Sequence, residues 1–173
     1  VLTANSLPTD QLELSVQPML VKTEDKVLLF DTGAAALFGP TLGTLPASLA
    51  SAGVDPASVT DIFISHGHGD HVGGLVANGA LAFPNATIHI QAAEWASLKS
   101  QTNMAELVSV ITPKVVEFQP GAHLVAGVKA VHIRGHTPGH SGYLITSGDQ
   151  SLLYIGDTMH HYVISVQQPD WTI

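Results

Sequence analysis

The stretch Thr60-Asp61-Ile62-Phe63-Ile64-Ser65-His66-Gly67-His68-Gly69-Asp70-His71 reads in two halves. The first, 60–65, has the length and the β-branched and aromatic content of a buried strand. The second sets three imidazoles and a carboxylate within six positions, spaced by glycines. His66 and His68, two apart on a loop, can turn both rings toward one cation. Asp70 and His71 can turn to a second cation close by. Nitrogen and oxygen donors without thiolate suit zinc, manganese, iron or cobalt. Gly67 and Gly69 let so short a loop curl until its donors converge. A lone histidine is usually structural; this density directly after a strand points to a metal site.

Outward from the loop the same arrangement recurs. Upstream, Val27-Leu28-Leu29-Phe30 reads as a short buried strand ending in Asp31-Thr32-Gly33, where the glycine permits a sharp turn. Residues 12–22 alternate apolar and polar side chains and read as another strand. Residues 45–52 read as a helix closed by Gly53, and Asp55-Pro56 is a further start signal. Downstream, Val72-Gly73-Gly74-Leu75 is expected to open a helix, with further helices over 92–99 and 104–111. Strands are expected over 87–91, 115–118, 123–125, 128–134, 142–145 and 152–155. Two of them end in donors. Gly135-His136-Thr137-Pro138-Gly139-His140 places His136 on a Gly/Pro turn, and Tyr154-Ile155-Gly156-Asp157 places a carboxylate at a strand end. Strands with interspersed helices make a layered α/β architecture, in which strand ends at one sheet edge build the site.

Bulk properties narrow the partners. The 173 residues suit one domain, 1–173, with a core of its own. A net charge of −8 with only six Lys and Arg argues against a nucleic-acid backbone as partner. No apolar run reaches the roughly 18 residues of a membrane span. The absence of cysteine removes disulfides and thiolate ligands. The chain opens at Val1 with no visible signal peptide, so the compartment stays open.

Taken in order, Asp31-Thr32-Gly33, then His66-x-His68-x-Asp70-His71, then Gly135-His136-Thr137-Pro138-Gly139-His140, then Gly156-Asp157 resemble the metallo-β-lactamase superfamily with its αββα sandwich. The resemblance runs from about Leu14 to Asp157. It implies His66, His68 and His136 on a first divalent cation, most often zinc, and Asp70 and His71 on a second, with Asp157 bridging them. Asp31 would brace the ligand loop. An aspartate at 157 and the lack of cysteine set the chain apart from cysteine-ligand β-lactamases. They bring it closer to glyoxalase II, N-acyl-homoserine lactonases and methyl-parathion-hydrolase-like proteins. The run from Asp31 to Gly43 (which includes Pro40), His71-Val72-Gly73-Gly74-Leu75, Ala82-Phe83-Pro84-Asn85-Ala86 and Gln101-Thr102-Asn103 most resemble the last group.

The family pattern has one further histidine on the second cation, in the C-terminal half of the fold. His160 and His161 come too early for it. The chain is therefore expected to hold the N-terminal half to two-thirds of the sandwich, with an apolar sheet face that a homodimer or a second chain would cover. His160 is read either as facing substrate or as an exposed loop residue. The activity implied is hydrolysis of small neutral esters, lactones or phosphotriesters by a hydroxide held between two cations, with Asp70 orienting it or shuttling a proton. A β-lactam or thioester hydrolase and a non-catalytic metal-binding fragment are the alternatives. His140 is expected to support its turn, His89, His123 and His132 to be structural, and Trp95 and Trp171 to serve packing or a partner surface. Asn85-Ala86-Thr87 matches a glycosylation sequon, a pattern common by chance.

Overall fold

Two strands buried on both faces organise the computed structural model, which describes residues 1–39 and 41–171; Pro40, Thr172 and Ile173 lie outside the described residues. They are β2 (Val27–Phe30) and β3 (Asp61–Phe63). Around them a five-stranded sheet runs in the order β1-β2-β3-β6-β7, with β1 at Met19–Lys22, β6 at Thr87–Gln91 and β7 at Val115–Phe118. β1 is antiparallel to β2, and the other pairs are parallel. Parallel strands covered on both faces carry near-continuous apolar runs, which is why Val27-Leu28-Leu29-Phe30 and Ile62-Phe63-Ile64 do not alternate.

One face of this sheet packs against the helices α1 (Leu45–Ser51), α3 (Ala92–Ser100) and α4 (Ala105–Ile111). Leu29, Ile62, Ile64, Ile88 and Ile90 meet Leu49, Trp95, Leu98 and Ile111 there. The other face packs against a second, antiparallel sheet ordered β11-β10-β9-β8, with β8 at His123–Val125, β9 at Val128–His132, β10 at Ser141–Ser147 and β11 at Gln150–Tyr154. Leu28, Phe30, Phe63, Phe118, Ala130 and Tyr143 fill the space between the sheets. Phe30 stacks on Phe63 with centroids 4.9 Å apart, and Phe63 stacks on His89 at the same separation. β11 is the outer strand of its sheet, and its Leu152 and Leu153 are about half exposed (52% and 48%). Among the described residues no helix is long and apolar enough to cross a membrane.

Several expected elements shift. Of the strand expected over 12–22, only β1 is paired; Pro18 has no N–H to offer a ladder, and Leu14 before it is 47% exposed. The helix expected to open at Val72 instead begins inside the ligand loop, as α2 (Gly69–Val72), and tightens into a 3₁₀ turn over Gly73–Leu75. A small hairpin follows, β4 (Val76–Ala77) and β5 (Ala80–Leu81), turned by Asn78 and Gly79, both at positive φ (52° and 75°). Asn-Gly is a strong turn signal of this kind. A last short helix, α5, spans Ile164–Gln167.

Candidate metal centre

Both sheets deliver polar residues to one edge of the intersheet space. β2 ends at Asp31, β3 leads to Ser65 and His66, β9 leads to the turn bearing His136, and β11 leads to Asp157. Asp31 has φ 55°, a left-handed conformation that aspartate tolerates better than most residues, and this turns its buried carboxylate toward the ligand loop. There it accepts the Ser65 N–H (2.7 Å), the Ser65 hydroxyl (2.7 Å), His71 Nδ1–H (2.8 Å) and the Tyr154 hydroxyl (2.8 Å). Having given its proton to Asp31, Ser65 Oγ accepts from His66 Nδ1 at 3.0 Å, leaving His66 Nε2 as a lone pair.

That lone pair points into a triangle. His66 Nε2 lies 3.0 Å from His68 Nδ1, and His136 Nε2 lies 3.1 Å from each. Each ring nitrogen is either a donor or an acceptor, so three in mutual contact leave at least one edge pairing like with like. A cation at the centre satisfies all three. The edges come close to the about 3.3 Å expected for nitrogens sharing a tetrahedral zinc at roughly 2.0–2.1 Å. The donor set therefore fits a divalent metal ion.

Asp157 lies beside this triangle and reaches past it. Its Oδ2 is 3.7 Å from His66 Nε2 and 3.5 Å from His136 Nε2, while Oδ1 is 3.1 Å from His71 Nε2. Groups able to hold an ion comprise His66, His68 and His136; His66, His71 and Asp157; and His136, Asp157 and His160. Five of the six residues expected as ligands thus fall into overlapping donor groups. Asp70 falls in none of them; its Oδ2 lies 3.6 Å from His71 Nε2, on the same side as Asp157 Oδ1. His160, read in sequence as either substrate-facing or merely exposed, sits with Nε2 3.5 Å from Asp157 Oδ2 and its ring 5.3 Å from His136.

The protonation behaviour follows from burial and neighbours. Burial, reinforced by the charge of His71, holds His66 at about 2, so its ring stays neutral. Burial also lowers His136 and His140, although Asp157 works against it in both. For His71 burial is outweighed by its hydrogen bonds to Asp157 and Asp31 and by their charges, which raise it above the ordinary imidazole value. Burial works to raise Asp157, but the hydrogen bond and charge of His71 bring it below the ordinary carboxylate range. A positive charge is thus favoured where His71 meets its two carboxylates.

His140 is buried and holds its turn as expected: Nδ1 faces the Ile133 carbonyl at 3.3 Å, and Nε2 accepts the Asp157 N–H at 3.0 Å. His89 and His132 make structural contacts, with Asp61 (2.9 Å) and Gln91 (2.8 Å) respectively, and His123 lies on β8 away from the cluster. Trp95 is in the core and Trp171 is 55% exposed. Sequence reasoning passed over Glu94, a carboxylate 1% exposed that bonds to both histidine-bearing loops. The signal available was slight, an acid in the first turn of a helix otherwise read as packing.

A 410 Å³ cavity opens on Asp70, His71, Asp157 and His160, with apolar walls that include Leu14, Val16 and Met159.

Residues 13–165 match the family model described as the metallo-beta-lactamase superfamily. An N-acyl homoserine lactonase of Bacillus sp is 33% identical over 159 residues, covering 80% of this chain and 61% of that protein. A probable metallo-hydrolase of Mycobacterium tuberculosis is 26% identical over 179 residues, covering 83% and 56%. Among solved structures, AidC, a dizinc quorum-quenching lactonase in complex with a product, superposes with a TM-score of 0.92 at 30% identity, over 99% of this chain and 66% of its own. The hydrolase AbOPH gives 0.87 at 26% identity, over 97% and 64%. The chain spans about three-fifths of the length of the curated relatives it matches. With that extent of matching and these strand-end donors, the chain belongs to the metallo-β-lactamase superfamily.

Proposed function

We propose that this chain carries the metal centre of a hydrolase of small neutral esters and lactones, N-acyl lactones foremost. His66, His68 and His136 would hold one divalent cation, His71 and Asp70 a second, and Asp157 would contact both. The observation that carries the reading is the three-nitrogen triangle with Asp157 Oδ2 beside it and Asp157 Oδ1 on His71. The lactonase relatives favour this substrate class, and the apolar walls beside Asp70 and His71 suit an acyl chain.

Divalent cations at such a site acidify water and polarise the oxygen of the group under attack. The residues supply the rest. Asp31 keeps the Nδ1 proton of His71, so Nε2 is the face presented to Asp157. His140 fixes the Asp157 backbone through its N–H. Asp70, partly exposed beside His71 and lining the cavity, would take the proton that the attacking water loses and return it to the leaving alcohol.

The contrast between His68→Ala and His123→Ala tests this. The first should lower lactone-opening kcat/KM by on the order of a thousandfold. The second, on β8, should leave it within about twofold of wild type. Equal losses from the two substitutions would refute the assignment.

A further inference from the structure

Glu94 touches neither an expected ligand side chain nor the cavity, yet it binds the backbone of both histidine-bearing loops of the triangle. Its Oε1 accepts the Gly67 N–H at 2.7 Å, midway between His66 and His68. Its Oε2 accepts the Gly139 N–H at 2.8 Å and the Thr137 hydroxyl at 2.7 Å, from the turn that carries His136. The carboxylate is 1% exposed, and no Lys, Arg or His side chain lies within ion-pair distance of it among the described residues. Three donated hydrogen bonds, together with its place in the first turn of α3, are what stabilise a charge buried there.

The two glycines show how close the loops come. A Cβ on Gly139 would strike the backbone of Glu94, and a Cβ on Gly67 would sit 3.2 Å from Glu94 Oε1 and 3.3 Å from Leu98. Both loops are therefore seated directly on the start of α3, which is anchored in turn by Trp95 and Leu98 in the helix-side core. His66 and His68 come from one sheet and His136 from the other, and no ladder joins the two sheets.

We infer that Glu94 is a positioning residue that sets the separation between the His66/His68 loop and His136, and so the cation affinity of the triangle. This rests on the metal-hydrolase reading above, which says that the triangle holds a cation. Other contacts also hold these segments: Asp31 braces the His66 to His71 segment, His140 braces Asp157, Asp157 reaches both His71 and His136, and the Ser141 N–H donates to the Ser65 carbonyl at 2.9 Å. Among the described side chains, Glu94 is the one whose two oxygens accept backbone N–H groups from both loops.

Glu94→Gln is the informative change, since it keeps the shape and replaces one oxygen by an NH₂ group. Whichever way the amide turns, that group faces a backbone N–H, of Gly67 or of Gly139, and one loop loses its tether. Cobalt(II) affinity, read by competition with a chromophoric chelator, should fall 10- to 100-fold, the usual loss when a partner orienting metal ligands is removed. The visible absorption of bound cobalt should change with it, while the metal-free protein still unfolds cooperatively. Should Glu94→Gln fail to fold, Thr137→Val removes one of the three bonds and should lower affinity several-fold. Wild-type cobalt affinity and spectrum in the folded variant, whether or not its metal-free melting temperature drops, would overturn the inference and leave Glu94 a structural acid. A wild-type protein that takes up no cobalt would instead defeat the metal-hydrolase reading itself.

Discussion

Three buried carboxylates divide the polar interior between them. Asp31 and Glu94 serve the ligand loops, and Asp61 lies at the far end of the same strands, where it accepts from Lys26 Nζ (2.7 Å) and meets His89 Nε2 (2.9 Å). Burial alone would raise the Asp61 pKa, but the hydrogen bonds from Lys26, His89 and Thr60 outweigh it, and the carboxyl lies below its ordinary 3.8. A carboxylate whose pKa falls on folding adds stability that is present above the unfolded value and lost as pH falls through the folded one. Asp61→Asn should therefore cost about 1–3 kcal/mol at pH 7. Its deficit against wild type should hold above about pH 5 and shrink as the pH drops below 3.8. Urea unfolding of the metal-free proteins across this range checks it, and a deficit independent of pH would contradict it. At this scale the donors were legible because ligand residues cluster after strands. Asp31 was legible through its place in Asp31-Thr32-Gly33. Glu94 was not, because its role depends on two loops that approach it from 27 and 45 positions away.

The elements that position the site are short, and close backbone approach sets several of them. Gly74 in the turn after α2 is one case: a Cβ there would enter the Thr32 carbonyl, and a Cβ on its neighbour Gly73 would lie 2.8 Å from the Ala34 oxygen. Thr32 in turn donates both its N–H and its hydroxyl to the His71 carbonyl, each at 2.8 Å. Gly74→Ala should thus push on Thr32 and through it on His71. The expected loss is about 1–3 kcal/mol of stability in urea unfolding, the range for overpacking, with weaker zinc binding alongside. Stability within about 0.5 kcal/mol of wild type would show that the turn has slack. The central strands were readable because burial on both faces leaves an unbroken apolar run. β1 was overextended because alternation from Leu12 to Val16 looks like a strand whether or not a neighbour pairs with it. The β4–β5 hairpin was missed although Asn78-Gly79 announces it, since two-residue strands have no periodicity to read.

For the molecule as a whole, the layer order was legible from the motif order. What packs on what was not, because the intersheet core draws on residues as distant as Leu28 and Tyr143. That core brings the ends of β3 and β9 together, so the triangle depends on the two sheets docking, and its metal affinity reports on the whole fold. The outer strand β11, with Leu152 and Leu153 about half exposed, lies beside the cavity that reaches Asp157. On the proposed reading, the His/Asp cluster holds the metal ions for ester and lactone hydrolysis. Titrating the metal-free protein with zinc, while following N-acyl lactone opening with a pH indicator, tests it most directly. No turnover is expected without metal, and with it a rise that saturates near two equivalents. Full turnover in the chelated protein, or none at saturating zinc, would contradict it.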